Sequence, residues 1–425
     1  MTETLPPKTP QPDPAPEGEV SIVSVTHHGM GRTEAGTLVP RVLPGEVVTL
    51  SKDGPKIVTP SPERIAPPCR HFKACGGCAM QHASDGFVEG WKAEIVRTAL
   101  RAQGLEGEIA RVLTSPADSR RRARLAGRRT KKGALVGFHA RASDTVIEVP
   151  GCRLLLPELT ALIPALERIA MLAASRKGEA GLTVTDSEAG LTVTDSEAGP
   201  DLHIDTDKPL TEELRLSLPE IAREAGLARL VWAEEIVAEL EPPVQRMGRA
   251  RVVPPPGAFL QATAHGEAAL LDCVTGAVAG AERIVDLFAG CGTFSLPLAE
   301  RAEIHAVEGE AAMLAALDRG WRGAPGLKRI TTEPRDLFRR PLLPDELARF
   351  DAAVIDPPRA GAQAQVAALA ASHIPVIAMV SCSPASFARD AKALVEKGYE
   401  MGPVTVVDQF RWSPHVELAT RFTRG

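Results

Sequence analysis

The chain has 425 residues, with 49 Lys and Arg against 54 Asp and Glu, a formal net charge of −5, so a uniformly basic coat for nucleic acid is excluded. No apolar run reaches membrane-spanning length, and Met1-Thr-Glu-Thr-Leu-Pro-Pro-Lys8 lacks the basic start and apolar core of a secretory signal, which predicts a cytoplasmic protein without membrane spans. This length predicts two or three domains, and seven cysteines in a reducing compartment point to metal or catalysis before disulfides.

Residues 1–19 are rich in Pro and Glu and predict a disordered tail. From 20 to 62, short β-branched runs such as Val20–Val25 and Glu46–Leu50 alternate with glycine turns, which predicts a small OB-like β-barrel. The next region, 63–250, is expected to be a central α+β domain. It opens on Cys69-Arg-His-Phe-Lys-Ala-Cys75-Gly-Gly-Cys78. Three cysteines within ten residues, on a loop loosened by glycines, predict a metal site. Zinc sites usually pair two C-x-x-C units, and only one is present here. Three clustered thiolates with a remote fourth suit a four-iron cluster, and Cys152 in Pro150-Gly-Cys152 is the natural fourth ligand.

Helical periodicity follows over Trp91–Gln103, and then a basic segment. Between Arg111 and Arg141 there are ten Lys and Arg against one acid, Asp118. Such a patch can neutralise nucleic-acid phosphates, with Arg120, Arg121, Arg122, Arg124, Arg128, Arg129, Lys131 and Lys132 as the expected contacts, or it is a solvated charged face. Leu159–Ala174 reads as an amphipathic helix. Gly181–Ala189 is repeated without change as Gly190–Ala198, which predicts a duplicated strand and turn in a tolerant surface hairpin.

From 251 onward, short apolar strands alternate with helical stretches, the pattern of a doubly wound α/β sheet with a late hairpin near 403–409 and 417–422. Its first unit is Ile284-Val-Asp-Leu-Phe-Ala-Gly-Cys-Gly-Thr293, a strand running into a glycine turn. Ser295 stands where a dinucleotide fingerprint has its third glycine, so a pyrophosphate ligand is disfavoured. S-adenosylmethionine (SAM), which has none, fits better, with Asp286 and Glu308 suited to its amine and ribose hydroxyls. Cys291 in the loop is either a nucleophile or a packing residue.

Two further strand ends carry chemistry. Asp356-Pro-Pro-Arg359 resembles loops that hold planar bases, but Arg359 stands where an amino-directed enzyme has a stacking aromatic. Ser381-Cys382-Ser383-Pro384 places a thiol beside the cofactor crevice, and His415-Val-Glu417 brings a carboxylate on the last hairpin. A thiolate, a carboxylate and a methyl donor together suit carbon 5 of uracil, which becomes nucleophilic only after a thiolate adds to carbon 6. Cys382 is the candidate nucleophile and Glu417 the candidate base.

Taken together, Cys69-x5-Cys75-Gly-Gly-Cys78, Cys152, Phe259-Leu-Gln261, Asp286–Thr293, Asp356-Pro-Pro-Arg359, Ser381-Cys382-Ser383 and His415-Val-Glu417 resemble the RNA 5-methyluridine methyltransferase family. Within it they are similar to the four-iron, TRAM-barrel subgroup of 23S rRNA enzymes. The resemblance spans about residues 20–422. It implies a Rossmann-like catalytic domain over 251–425, with Gln261, Asp286, Phe288, Gly290, Gly292, Thr293, Glu308, Asp336 and Asp356 around SAM. It also implies that Cys382 attacks, that Glu417 removes the proton, that Cys69, Cys75, Cys78 and Cys152 hold a [4Fe-4S] cluster, and that the helix after the cluster packs on the catalytic domain. The expected partner is 23S rRNA, with tRNA as the alternative, and the enzyme is expected to be monomeric. An iron–sulfur redox or sensor protein is the competing class.

Overall fold

The structure is a computed structural model that describes residues 18–51, 54–174 and 189–424. The expected tail over 1–19 falls almost wholly outside these residues. The chain divides into two compact units: residues up to Pro67 with Ala79–Trp91, and Pro68–Cys78 with Lys92 onward. Among the described residues no helix is long and apolar enough to cross a membrane.

The first unit contains β1 (Glu19–Val25), β2 (Met30–Thr33), β3 (Leu38–Pro40), β4 (Val47–Ser51) and β5 (Gly54–Thr59), an antiparallel sheet in the order β3-β2-β1-β4-β5. Ile22, Val39, Val42 and Val48 form its core. Gly31 is required there, because a Cβ would come within 2.2 Å of Val42 Cγ2. The carboxylate of Glu46 is buried and accepts from the Arg64 guanidinium and the Leu43 amide, which ties the end of the sheet to the chain that leaves it.

Helix α1 (Asp85–Ala102) begins in the first unit and ends in the second, and β6 (Ile109–Thr114) follows it. The central sheet uses β7 (Arg122–Arg129), β8 (Ala134–His139) and β9 (Val146–Glu148). Then come α2 (Pro157–Ala161), α3 (Ile163–Ala173), β10 (Ala189–Thr194), β11 (Asp201–Asp205), α4 (Glu212–Glu224), β12 (Arg229–Trp232) and β13 (Glu235–Glu239). The strand order is β13-β12-β11-β10-β7-β8-β9. The helix expected over 159–174 is two helices, because Pro164 starts a new one at α3 and its ring cannot continue the ladder behind it.

The duplication corrects the expectation of a surface hairpin. Gly181–Glu188 of the first copy lies outside the described residues. The second copy supplies β10, paired with β7 on one side and β11 on the other. Its Leu191 and Val193 are fully buried. Each such side chain contributes about 1.5–3 kcal/mol. Deleting Gly181–Ala189 leaves Ala180 followed by the same Gly-Leu-Thr-Val-Thr, so the strand is still spelled out. Unfolding of that deletion variant is expected within about 0.5 kcal/mol of the parent, whereas Val193→Asp in the parent should cost more than about 3 kcal/mol.

A short hairpin, β14 (Gln245–Met247) and β15 (Ala250–Val252), leads through α5 (Ala264–Ala277) into the catalytic sheet. That sheet holds β16 (Arg283–Leu287), β17 (Glu303–Glu308), β18 (Ile330–Pro334), β19 (Ala352–Ile355), β20 (Val376–Ser381), β21 (Glu400–Met401), β22 (Val404–Asp408) and β23 (Glu417–Thr423). Between them run α6 (Ser295–Leu298), α7 (Ala311–Arg322), α8 (Pro344–Leu347), α9 (Gln363–Ala371) and α10 (Pro384–Val395). The order is β18-β17-β16-β19-β20-β23-β22-β6, parallel from β18 to β20, with β23 antiparallel to both neighbours.

The edge strand corrects the contiguous central domain expected over 63–250. β6 runs parallel to β22, and Val96 and Leu100 of α1 lie in the catalytic core. The chain therefore enters the catalytic sheet, leaves to build the central sheet, and returns.

Candidate active site

In an open parallel sheet a ligand crevice lies at the carboxyl ends of the strands, where the strand order reverses. Here that point is between β16, the first strand of the parallel run, and β19, since β16 is flanked by β17 on one side and β19 on the other. β16 ends at Leu287, and the chain turns through Phe288, Gly290 and Gly292 with φ of +64°, +55° and +98°. The glycines adopt such angles freely, and an aromatic residue does not: Phe288 stores about 1–3 kcal/mol of strain, a cost typical of functional loops. Its ring meets Phe338 at 5.4 Å between centroids.

The Gly290 amide donates to Glu308 Oε2 at 3.0 Å and the Glu310 amide to Oε1 at 3.1 Å, so the Glu308 carboxylate is aimed by backbone. Asp286 is fully buried. Ser295 Oγ donates to its Oδ2 at 2.6 Å, while Oδ1 has no hydrogen-bond partner. Asp336 caps its own loop by accepting from the Phe338 amide at 3.0 Å. Thr293 is half-buried in the glycine turn, which β16 places beside the end of β17. Cys291 is enclosed in the core at 2% exposure, the place of a packing residue, and burial pushes its thiol up to about 12.

Asp356 follows β19, Cys382 follows β20 and Glu417 opens β23, next to β20 in the sheet. Burial raises Asp286 and Asp356 each to about 7 and Glu417 to about 8, the last aided by the charge of Asp356. Burial, Glu417 and Asp356 push the Cys382 thiol up to about 11, against the pull of Arg359. Among the described residues none of these three carboxyls is ion-paired with Lys, Arg or His, so the crevice is electrostatically suited to a cationic ligand. SAM, with its sulfonium and ammonium, fits: Asp286 Oδ1 is an unused buried acceptor and the two glycines give close access.

Sequence reasoning missed Gln409. Its Nε2 donates to Gln261 Oε1 at 2.6 Å, its Oε1 accepts from the Ala262 amide at 2.8 Å, and its side chain lies near enough to Glu417 to favour the charged carboxylate there. Gln261 and Glu417 therefore share one amide as a neighbour. A glutamine after a strand carries no spacing signal, so only the tertiary contact reveals it. His415 Nδ1 accepts from Arg359 Nη2 at 3.1 Å, which links the last loop to the Asp356-Pro-Pro turn.

Several side chains of the basic segment already have partners within the protein. Arg121 is bound to the Glu267 carboxylate and the Gln261 carbonyl, Arg124 pairs with Asp205 at 2.6 Å, and Arg120 lies over the Phe410 ring at 5.7 Å. Arg122 sits over Phe259, a ring that is 59% exposed. Arg128 and Arg129 are half-buried on β7, and Lys131 and Lys132 are exposed at the turn into β8.

Cys69, Cys78 and Cys152 are buried and Cys75 half-buried. Burial raises the thiols of Cys75 and Cys152, and each feels the charge of Cys69, so these groups share one neighbourhood. Arg120 is desolvated and sees Cys78 and Cys152 as its negative partners. Among the described residues no three His, Cys, Asp or Glu side chains converge as ligands of one metal ion would. The donor set is all sulfur, soft, and served by a buried guanidinium. That chemistry fits an anionic iron–sulfur cluster, whose ligands bind different iron atoms.

The fold and its crevice define a Rossmann-like methyltransferase. The sequence model of the tRNA (Uracil-5-)-methyltransferase family matches residues 328–424. An uncharacterized RNA methyltransferase of Caulobacter vibrioides is 42% identical over 418 residues, covering 95% of this chain and 99% of the relative. One from Brucella suis is 40% identical, covering 96% and 98%. The 23S rRNA (uracil(1939)-C(5))-methyltransferase RlmD of Chromohalobacter salexigens is 32% identical over 97% of this chain and 90% of its own. The Pyrococcus abyssi tRNA (uracil-54, C5)-methyltransferase, solved with S-adenosyl-L-homocysteine, superposes with a TM-score of 0.73 at 21% identity, over 95% of this chain and 99% of that one, and shares the fold. The chain belongs to the RNA uracil-C5 methyltransferase family, and it is a SAM-dependent enzyme that methylates carbon 5 of uridine in RNA.

Proposed function

We propose that Cys382 is the nucleophile and Glu417 the general base of this methylation, and that the substrate is a uridine of 23S rRNA. The observation that carries the roles is that half-buried Cys382 and Asp356 and buried Glu417 gather at the crevice, where Cys382 feels the charges of Glu417 and Asp356, and Glu417 that of Asp356. SAM supplies an electrophilic methyl group, held by Asp286, Glu308 and Gln261, with Phe288, Gly290, Gly292, Thr293, Asp336 and Asp356 around it. The thiol of Cys382 must first lose its proton, which the Arg359 guanidinium favours. Its sulfur then adds to C6 of the uracil, and the π pair of C5=C6 makes C5 nucleophilic. After C5 has gained the methyl group, the Glu417 carboxylate takes the C5 proton. The C–H pair re-forms C5=C6 and the thiolate leaves C6.

The RNA assignment is supported by the name of the relative that is 32% identical over nearly the whole chain. Exposed Lys131 and Lys132, with Arg122, Arg128 and Arg129 behind them, would meet phosphates, and the β1–β5 sheet would act as a TRAM-type RNA module. The test is methyl-labelled SAM incubated with ribosomal RNA and, separately, tRNA from cells lacking the gene, followed by mapping of 5-methyluridine. Label in 23S rRNA supports the reading, and label confined to tRNA overturns the rRNA assignment.

Cys69, Cys75, Cys78 and Cys152 are proposed to hold a [4Fe-4S] cluster. Anaerobically purified protein should carry about four iron and four sulfide per chain. Cys152→Ser should lower both. One zinc per chain without iron would refute the cluster.

A further inference from the structure

Lys92 lies in the part of α1 that belongs to the second unit, and its side chain has 0% exposure. A fully buried ammonium has three hydrogens to satisfy, and here each has an acceptor. Nζ donates to the equally buried Asp408 carboxylate, to the Phe410 carbonyl at 3.2 Å and to the His415 carbonyl at 2.9 Å. Those acceptors stand at the two ends of the turn that joins β22 to β23. Gln409, whose amide neighbours Glu417, is next to Asp408, and Glu417 itself is two residues past His415. One ammonium therefore fixes the stretch on which both residues are carried.

Stability alone does not account for this arrangement. Well-packed apolar residues commonly serve a core as well as a buried ion pair does, or better. What an apolar side chain cannot do is hold two loop carbonyls at a set separation. All three hydrogen bonds of the Lys92 ammonium go to Asp408 and the loop carbonyls, so its effect on catalysis passes through the loop.

We propose that Lys92 is a positioning residue for the last chemical step: by clamping the 408–415 turn it sets Gln409 and the Glu417 carboxylate where the C5 proton will be. In that step the C5–H bond breaks, the proton passes to Glu417, the pair re-forms C5=C6, and the C6–S bond breaks to release the Cys382 thiolate. The proposal rests on Glu417 being the base. Thiolate addition and methyl transfer precede it and do not need the clamp.

The experiment uses the full chain with methyl-labelled SAM and ribosomal RNA from cells lacking the gene. Lys92→Met with Asp408→Asn removes both charges, so no buried carboxylate is left unpaired. Lys92→Gln with Asp408→Asn, which keeps a neutral donor at the clamp, is run beside it in case the first pair does not fold, and Glu417→Gln reports on the base itself. In the folded variants kcat should fall by about 10²-fold, while the KM for SAM should rise by less than about tenfold through the Gln409–Gln261 contact. A protein–RNA complex carrying labelled methyl and resistant to denaturant should build up, as it should in Glu417→Gln. Unchanged kcat in a folded Lys92 variant overturns the proposal, and so does a fall in kcat without the methylated complex while Glu417→Gln accumulates it. If Glu417→Gln turns over freely, the base assignment fails and the proposal falls with it.

Discussion

Cys382→Ala is expected to lower methyl transfer by about 10³-fold or more and to abolish the denaturant-resistant complex with 5-fluorouracil-containing RNA. Fluorine at C5 cannot leave as a proton does, so the wild-type enzyme should stop at the stage in which sulfur is bonded to C6. The variant should still bind S-adenosyl-L-homocysteine, because the thiol follows β20 while the glycine loop follows β16. Loss of a half-buried sulfur should cost no more than about 1 kcal/mol of stability, so lost activity would not reflect lost fold. If Cys382→Ala still forms the complex, another group is the nucleophile. Cys291 is a poor replacement, since its thiol is buried and pushed up to about 12.

Glu417→Gln should have the opposite signature with unmodified RNA. Addition and methylation proceed, proton removal fails, and the methylated covalent complex accumulates while turnover drops by about 10²–10⁴-fold. The same carboxyl predicts a pH effect on stability. Burial raises it in the folded state to about 8 from a reference near 4.5. The folded protein therefore holds this proton more tightly than the unfolded chain. The stabilisation is complete below about 4.5 and is lost as pH rises through about 8. In the ligand-free enzyme, Glu417→Gln should raise Tm by several degrees relative to wild type at pH 8 and change it little at pH 5. A thermal series with and without S-adenosyl-L-homocysteine checks this. A Tm difference independent of pH would show that the folded carboxyl is not raised.

The catalytic sheet was legible because each strand is short, apolar and ended by a polar signal. Asp286, Asp356, Cys382 and Glu417 stand at strand ends, where period and chemistry coincide. The central region was less legible. β10 reads as an ordinary alternating strand, and nothing local says that it will be covered on both edges. The partners of the basic segment were illegible for the related reason that charge density in sequence does not report pairing: Glu267 and Asp205, which engage Arg121 and Arg124, are distant along the chain. Lys92 and Gln409 were invisible, since their roles exist only when α1 and the last hairpin meet.

The threading of the chain through the catalytic sheet has a consequence for its birth on the ribosome. β6 is made early, yet its partner β22 begins at Val404, and β23, which joins β22 to β20, comes later still, about 300 residues after β6. Long separations of this kind slow folding, because loop closure must come before the contacts that reward it. The catalytic half thus has a natural order: the central sheet can form while β6 waits with an unpaired edge. A fragment beginning at residue 251 would lack both that strand and the Lys92 partner of Asp408. Such a fragment should not fold alone, and supplying residues 68–250 in trans is the way to restore it.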